Sequence, residues 1–427
     1  LAHDNPQNQT ARLTISEESD LTLEVVILLV FGVFMLLFGL LLFRIHSGDL
    51  PYNPDSMYGL FLVIVALQII TMGKTPFGDL RRSWMVVIIG ICMAVVGMSA
   101  CFLPGLLTGL VRELVGIILF AGGTVLLLQL FIAKGKAKTW TRSPGILRQL
   151  TLACFLVYLM TIISGLVTLL PGITTNPQTA ILLIIYGISF FYLAWCIQKV
   201  SRLYPRKEET NPASGTVNSE NDGVKGIFLF FRDASLPLMV ALLLLLGVLL
   251  VFLGILLVPV NLGLLPFSPD GQLGLLLVIT AIQMLALGNT PVGKYRRSWL
   301  LMLIGMVFVA MGIVSCIVPG ILTNVIRILL GVLNITGGVI LLLMQVLPVL
   351  HAMRDPSTGP VPPVHPITRK LEVTQVALNL VAITFGLTVL VPGLVSGQVI
   401  SGILVLNGLL LFVLAYLLQQ ISKDATG

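Results

Sequence analysis

The chain has 427 residues, of which 57% are hydrophobic and only 10% charged, with a mean hydropathy of +1.04 and a formal net charge of +7. A water-soluble globular domain carries about 25% charged residues, so this composition excludes one and implies a chain dissolved in a lipid bilayer. The basic residues are scattered over loops, with no compact basic domain and no aromatic stacking platform, so no nucleic-acid partner is expected.

In chain order, residues 1–21 are polar and acidic and lack the basic-then-apolar order of a signal peptide, which reads as a short cytoplasmic tail. A spanning helix needs about 20 mostly apolar residues, because hydrocarbon offers the backbone no hydrogen-bond partner. Runs of that kind predict spans near 22–44, 57–73, 84–103, 106–133, 148–170 and 178–198, then 236–258, 272–288, 299–318, 321–349, 370–391 and 399–419. The expected fold is therefore an all-α polytopic membrane protein of about twelve helices. Residues 22–200 form its first six-helix unit, 201–235 a polar cytoplasmic linker, 236–420 the second unit and 421–427 a cytoplasmic tail.

The two units are written in one register. Adding 215 carries Pro51 to Pro266, Asp55 to Asp270, Gln68 to Gln283, Cys101 to Cys316, Arg112 to Arg327 and Gly122–Gly123 to Gly337–Gly338 without a gap. After a six-residue insertion the offset becomes 221 and pairs Gly165 with Gly386 and Pro171 with Pro392. Such sustained register predicts an internal duplication. Within each unit the turns FLPGLLTG (102–109) and LLPGITTN (169–176), with IVPGILTN (317–324) and LVPGLVSG (390–397), predict helical hairpins, three per unit, two of them turning on Pro-Gly.

Lys and Arg stay on the cytoplasmic side of a membrane. The segments 74–82, 134–148, 199–232, 294–297, 354–370 and residue 423 hold 21 of the 25 basic residues, and the Pro-Gly turns hold none. Both termini are thus expected in the cytoplasm, with the two units parallel and related by a pseudo-two-fold axis along the membrane normal. A bacterial or archaeal cytoplasmic membrane is the expected location.

One polar phrase appears twice, as GKTPFGDLRRSW (73–84) and GNTPVGKYRRSW (288–299). Gly73, Pro76 and Gly78, with Gly288, Pro291 and Gly293, suit tight turns. Arg81 and Arg82, with Arg296 and Arg297, suit anionic lipid headgroups, and Trp84 and Trp299 suit the membrane interface. The topogenic reading explains all of these residues; gating or docking of another membrane subunit is the alternative.

Charge within the hydrocarbon is costly and marks function, which singles out Arg112, Glu113 and Arg327. Arg112 and Arg327 each follow a Pro-Gly proline by eight residues and would sit roughly 10–12 Å below the outer turn at ~1.5 Å rise per residue. They would bind an anionic headgroup, line a site between the units, or snorkel outward. Glu113 points about 100° away from Arg112 and is expected to face another helix rather than pair with it. Asp55 and Asp270, in LPYNPD (50–55) and LPFSPD (265–270), are candidate caps of the helices that follow.

Other chemistry is largely excluded. His3, His46, His351 and His365 lie in tails, loops or at a membrane edge, so no intramembrane haem is expected. Cys92, Cys101, Cys154, Cys196 and Cys316 lie in apolar spans without CxxC spacing and read as inert thiols, so neither metal nor cofactor is expected. No Walker loop, dinucleotide fingerprint or GxSxG elbow falls in a suitable context, and the chain reads as no enzyme.

The apolar hairpins with LLPG turns, and helix glycines such as Gly165 and Gly187, resemble the HdeD-like acid-resistance membrane proteins. That resemblance covers most of both units and implies protection of the membrane under acid stress, with no catalytic site to carry over. The phrase after the second and eighth helices also resembles the major facilitator type of transporter, since Gly73 precedes Arg81 and Arg82 by eight and nine residues, and Gly288, Arg296 and Arg297 repeat the spacing. The charge pattern departs from that family: Asp79 stands at +6 rather than +4, and the second copy has Lys294 there. A carrier of this type implies an anionic solute or lipid contacted by Arg112 and Arg327. The third expectation, an accessory or scaffold subunit, needs helix-packing surfaces and no site of its own.

Overall fold

The computed structural model describes residues 21–72, 74–75, 78–79, 84–132, 145–203, 238–287, 289–290, 293–294, 299–354 and 366–424. These form twelve α-helices and two two-residue β-hairpins. In the first half, α1 is Leu23–His46, α2 Pro54–Met72, α3 Trp84–Phe102, α4 Thr108–Ile132, α5 Ile146–Leu169 and α6 Asn176–Leu203. In the second, α7 is Leu238–Asn261, α8 Pro269–Leu287, α9 Trp299–Ile317, α10 Thr323–Arg354, α11 Pro366–Leu390 and α12 Gly397–Asp424. Nine of them are long and apolar enough to cross a membrane, and α2, α3 and α8 contribute shorter apolar stretches. A 19-residue helix such as α2 is roughly 28 Å long, close to the ~30 Å of a hydrocarbon core. The protein is a polytopic helical membrane protein.

Proline and glycine punctuate the helices as the sequence predicts. Gly105, Gly172, Gly320 and Gly393, one in each Pro-Gly turn, take φ of 85°, 97°, 90° and 85°, a region where a Cβ is strained. The hairpin expectation holds for α5 and α6 and for α11 and α12, which pack together along their lengths. By contrast, α3 and α4, like α9 and α10, diverge after their shared turn, and neither α1 with α2 nor α7 with α8 packs as the expected hairpin. The most extensive pairs are α1 with α6, α2 with α3 and α4 with α5, and their counterparts are α7 with α12, α8 with α9 and α10 with α11.

Glycine explains the choice of partner for α3. A Cβ at Gly59 would meet the carbonyl of Gly97, and one at Gly97 would meet the carbonyl of Gly59 at 2.6 Å, so α2 and α3 approach backbone to backbone. Gly274 and Gly312 do the same between α8 and α9. In lipid, where apolarity alone brings no helices together, such close van der Waals contact drives packing. Gly123 and Gly338 bring α4 against Ile162 of α5 and α10 against Ile383 of α11.

The halves meet through their first three helices. Helix α1 packs on α9 and α8, α2 on α9 and α7, and α3 on α7 and α8. Each of these contacts has its reciprocal. One apolar cluster runs through this seam, and Leu60, Leu62, Ile64, Leu275 and Leu277 are among the largest fully buried side chains. Helix α2 is enclosed on nearly all sides, as its almost uniformly apolar sequence allows, whereas α8 keeps one partly exposed stripe at Gln272, Leu276 and Thr280. The flanking helices turn residues such as Leu110, Ile117, Ile328 and Leu409 outward, as a lipid-facing surface requires.

Candidate functional site

The phrases LPYNPD and LPFSPD build the seam. Asn53 caps α2: its Oδ1 accepts from the Ser56 N–H at 3.2 Å, and Pro54 fills the first helical position, where a missing N–H costs nothing. Ser268 caps α8 in the same way, accepting from the Gly271 N–H at 3.2 Å ahead of Pro269. The caps are therefore Asn53 and Ser268, not Asp55 and Asp270, because each helix begins at its proline and the aspartate falls at the second helical position, two residues past the cap.

This cap geometry leaves the backbone N–H of each capping residue free to cross the seam. Asn53 donates to the carbonyl of Ile317 at 3.1 Å, and Ser268 donates to the carbonyl of Phe102 at 2.9 Å. Ile317 and Phe102 are the last residues of α9 and α3, whose terminal carbonyls have no partner within their own helices. Each half thus satisfies a helix end of the other.

Next to these bonds the thiols of Cys101 and Cys316 meet across the seam, both side chains being fully enclosed. Cys101 Sγ also donates to the Ser56 carbonyl at 3.3 Å, and Ser56 Oγ donates to the Cys101 carbonyl at 2.9 Å. Gly271 stands where Ser56 stands in the first half, and a Cβ there would collide with the carbonyl of Cys101.

Asp55 is 3% exposed and reaches past its own helix. Its Oδ2 accepts from the Gly105 N–H at 2.5 Å and from Thr108 Oγ1 at 2.9 Å. A buried carboxylate thereby ties the start of α2 to the start of α4. Thr323 donates to Asp270 at the matching place in the second half.

Arg112 and Arg327 lie in the second turns of α4 and α10 and are half-buried, and their Nε atoms are enclosed without a hydrogen bond to the protein. Arg112 is close enough to Tyr58 to act on it electrostatically. Helix α4 packs on α2 and α5, whereas α10 packs on α8 and α11. The arginines consequently sit one on each flank of the seam, and the structure does not bring them together. Glu113 is exposed on the surface of α4, away from the Arg112 environment.

Of the repeated polar phrase, residues 73, 76, 77, 80–83, 288, 291, 292 and 295–298 lie outside the described residues, and with them Gly73, Pro76, Arg81, Arg82, Gly288, Pro291, Arg296 and Arg297. The flanking backbone forms matching antiparallel ladders. Lys74 pairs with Asp79 and Thr75 with Gly78, while Asn289 pairs with Lys294 and Thr290 with Gly293. Trp84 and Trp299 begin α3 and α9, and Trp299 is exposed.

A partly open cavity of about 340 Å³ lies in the first half, lined by α1, α2, α4, α5 and α6. Glu24, Gln68, Gln129 and Tyr158 line the end nearer the basic loops. Phe31, Phe61, Phe190 and Tyr186 line the deeper end, and the Tyr186 hydroxyl hydrogen-bonds Thr161 at 2.7 Å. None of these residues is among the sequence-based candidates. The signal was available in the register, since Glu24 stands opposite Met239 and Phe31, Phe61 and Phe190 opposite Leu246, Leu276 and Leu411.

Among the described residues no group of three or more His, Cys, Asp or Glu is placed to hold a metal ion. No protein family, no curated protein and no solved structure matches the chain. Its chemistry is read from its own residues.

Proposed function

We propose that the chain is a non-catalytic integral membrane protein that works through its packing surfaces. It is an accessory or scaffold subunit of a membrane complex, or a stress-protection protein of the HdeD-like type, derived from a duplicated six-helix unit with both termini in the cytoplasm. The observation that carries this reading is the closed seam. A carrier of the major facilitator type rocks one half against the other around a site near the midplane, which requires a seam that opens. Here α2 buries its side chains nearly all round, α8 buries most of its own, and reciprocal backbone bonds from Asn53 and Ser268 fasten the halves at one end. Arg112 and Arg327, the residues an anion carrier would use, stand on separate flanks.

The test is gentle detergent extraction from the native membrane, followed by size analysis and mass spectrometry. A companion subunit at fixed stoichiometry is expected for the accessory role. A chain that runs alone, with deletion lowering survival in acid, assigns the HdeD-like role. A chain that runs alone and moves an anionic solute across proteoliposomes overturns both.

A further inference from the structure

We propose that the cavity in the first half is a binding site for a small neutral aromatic hydrocarbon, one ring with a short alkyl chain and no charged or hydrogen-bonding head. The site goes beyond the scaffold role and does not depend on it.

The polar groups of the lining set the ligand's chemistry by being taken. Glu24, Gln68, Gln129, Cys154 and Tyr158 each already interact with other groups of the protein. Thr161 Oγ1 donates to the Val157 carbonyl at 2.7 Å and is hydrogen-bonded to the Tyr186 hydroxyl at 2.7 Å. Every lining side chain with a polar atom is therefore committed within the chain. A ligand head that displaced one of these contacts would exchange one interaction for another and gain little. Water fares no better at the deeper end, since an enclosed water needs roughly two to four polar partners. Apolar matter is what the space can hold without such a loss.

Size then limits the ligand. At about 340 Å³ the cavity falls at the lower end of small-molecule sites, roughly 300–1,000 Å³, and exceeds the few water-sized voids of a packed interior. Seven residues separate Glu24 from Phe31 on α1, and Gln68 from Phe61 on α2, a depth of ~10 Å at ~1.5 Å rise per residue. One ring with a short alkyl chain fits that depth. A lipid acyl chain, which extends over half of a ~30 Å hydrocarbon core, overruns it.

The deeper end selects a ring. Phe31 lies 5.9 Å from Phe61 edge-on and 5.6 Å from Phe190 in a stack, and Phe190 lies 4.7 Å from Tyr186. Aromatic rings gain from such edge-on and stacked neighbours beyond the area they bury, so a further ring extends a cluster already in place.

The second half lacks this cluster. At the positions corresponding to Phe31, Phe61, Tyr186 and Phe190 it has Leu246, Leu276, Asn407 and Leu411. One site per chain is the consequence.

The experiment is a fluorine NMR titration of para-fluoro-butylbenzene into the full chain in lipid nanodiscs, with empty nanodiscs subtracted. One saturable site per chain is expected. Unlabelled butylbenzene should displace the probe, and dodecylbenzene should do so at least about tenfold less well, because the packed floor does not yield to the longer chain. Phe190→Leu, which installs the residue of the second half, should weaken binding about threefold or more. Val65→Phe, which fills the cavity, should abolish it; if that variant fails to fold, the chain-length comparison and Phe190→Leu decide. No saturable binding, two equivalent sites, equal displacement by dodecylbenzene, or an affinity indifferent to Phe190→Leu overturns the proposal and leaves the scaffold reading where it stands.

Discussion

The backbone N–H of Asn53 donates to the carbonyl of Ile317 at 3.1 Å, and the same bond recurs in reverse at the positions 215 residues away, from Ser268 to the carbonyl of Phe102. Each bond joins the start of one helix to the end of another across the two halves. Such a bond contributes about 1 kcal/mol net, but leaving a buried carbonyl unpaired costs roughly 1–3 kcal/mol. A displacement that opened this end of the seam would lose two such pairs at once, together with the packing around Cys101 and Cys316.

Gly271 is the point of closest approach beside these bonds, since a Cβ there collides with the Cys101 carbonyl. Gly271→Val should destabilise the protein by about 1–3 kcal/mol through overpacking, read as a fall in the thermal unfolding midpoint in detergent. Gly402 is also helical, but a Cβ there would meet nothing within 4 Å. Gly402→Ala should leave the midpoint unchanged or raise it slightly.

Asp55 holds α4 through Gly105 and Thr108. Hydrogen bonds to a charged group are worth roughly 1.5–3 kcal/mol, so Asp55→Asn should lower stability by an amount in that range. Thr108→Val alone should cost less. In a double-mutant cycle the two changes should be non-additive by more than about 0.5 kcal/mol; strict additivity would show that the carboxylate does not hold the threonine.

The thiols of Cys101 and Cys316 meet across the seam. In a chain with Cys92, Cys154 and Cys196 replaced by Ala, and a protease site placed within residues 204–237, mercuric ion should bridge them. After cleavage the two halves should then run together on a non-reducing gel. Cys101→Ser should release them, and halves that separate in both cases would refute the juxtaposition.

Arg112 and Arg327 sit in the second turns of α4 and α10, half-buried, and an arginine so placed can extend its head toward the headgroups. The double variant Arg112→Leu with Arg327→Leu should insert with unchanged topology, checked by accessibility of single cysteines placed in the loops. Failure to accumulate, or inverted topology, would give these arginines a structural role beyond reaching the surface.

Much of the architecture is legible in the sequence because bilayer physics acts on every residue. Twelve apolar runs correspond to twelve helices within a few residues, and the four Pro-Gly turns fall where their glycines take positive φ. Partner choice is less legible. The turn between α3 and α4 suggests a packed hairpin, but α3 turns away because Gly97 matches Gly59 of α2, a complementarity that helix-by-helix reading does not reveal. The aspartates look like caps in the sequence but are not, because the helices already begin at Pro54 and Pro269, and Asn or Ser directly before such a proline is itself a cap signal. Arg112 and Arg327 stand out by their charge, but which flank each occupies depends on the packing of α4 and α10.

One measurement tests directly whether the two halves stay fixed to each other across the apolar seam. Leu106 and Ile321 occupy equivalent, exposed positions in the turns after α3 and α9. With the native cysteines replaced by Ala, spin labels at Leu106→Cys and Ile321→Cys can be measured by double electron–electron resonance in nanodiscs. The account predicts one narrow distance distribution, the same at neutral and acid pH and with or without anionic solutes. Two populations whose balance shifts with solute or pH would mean that the seam opens, and would contradict it.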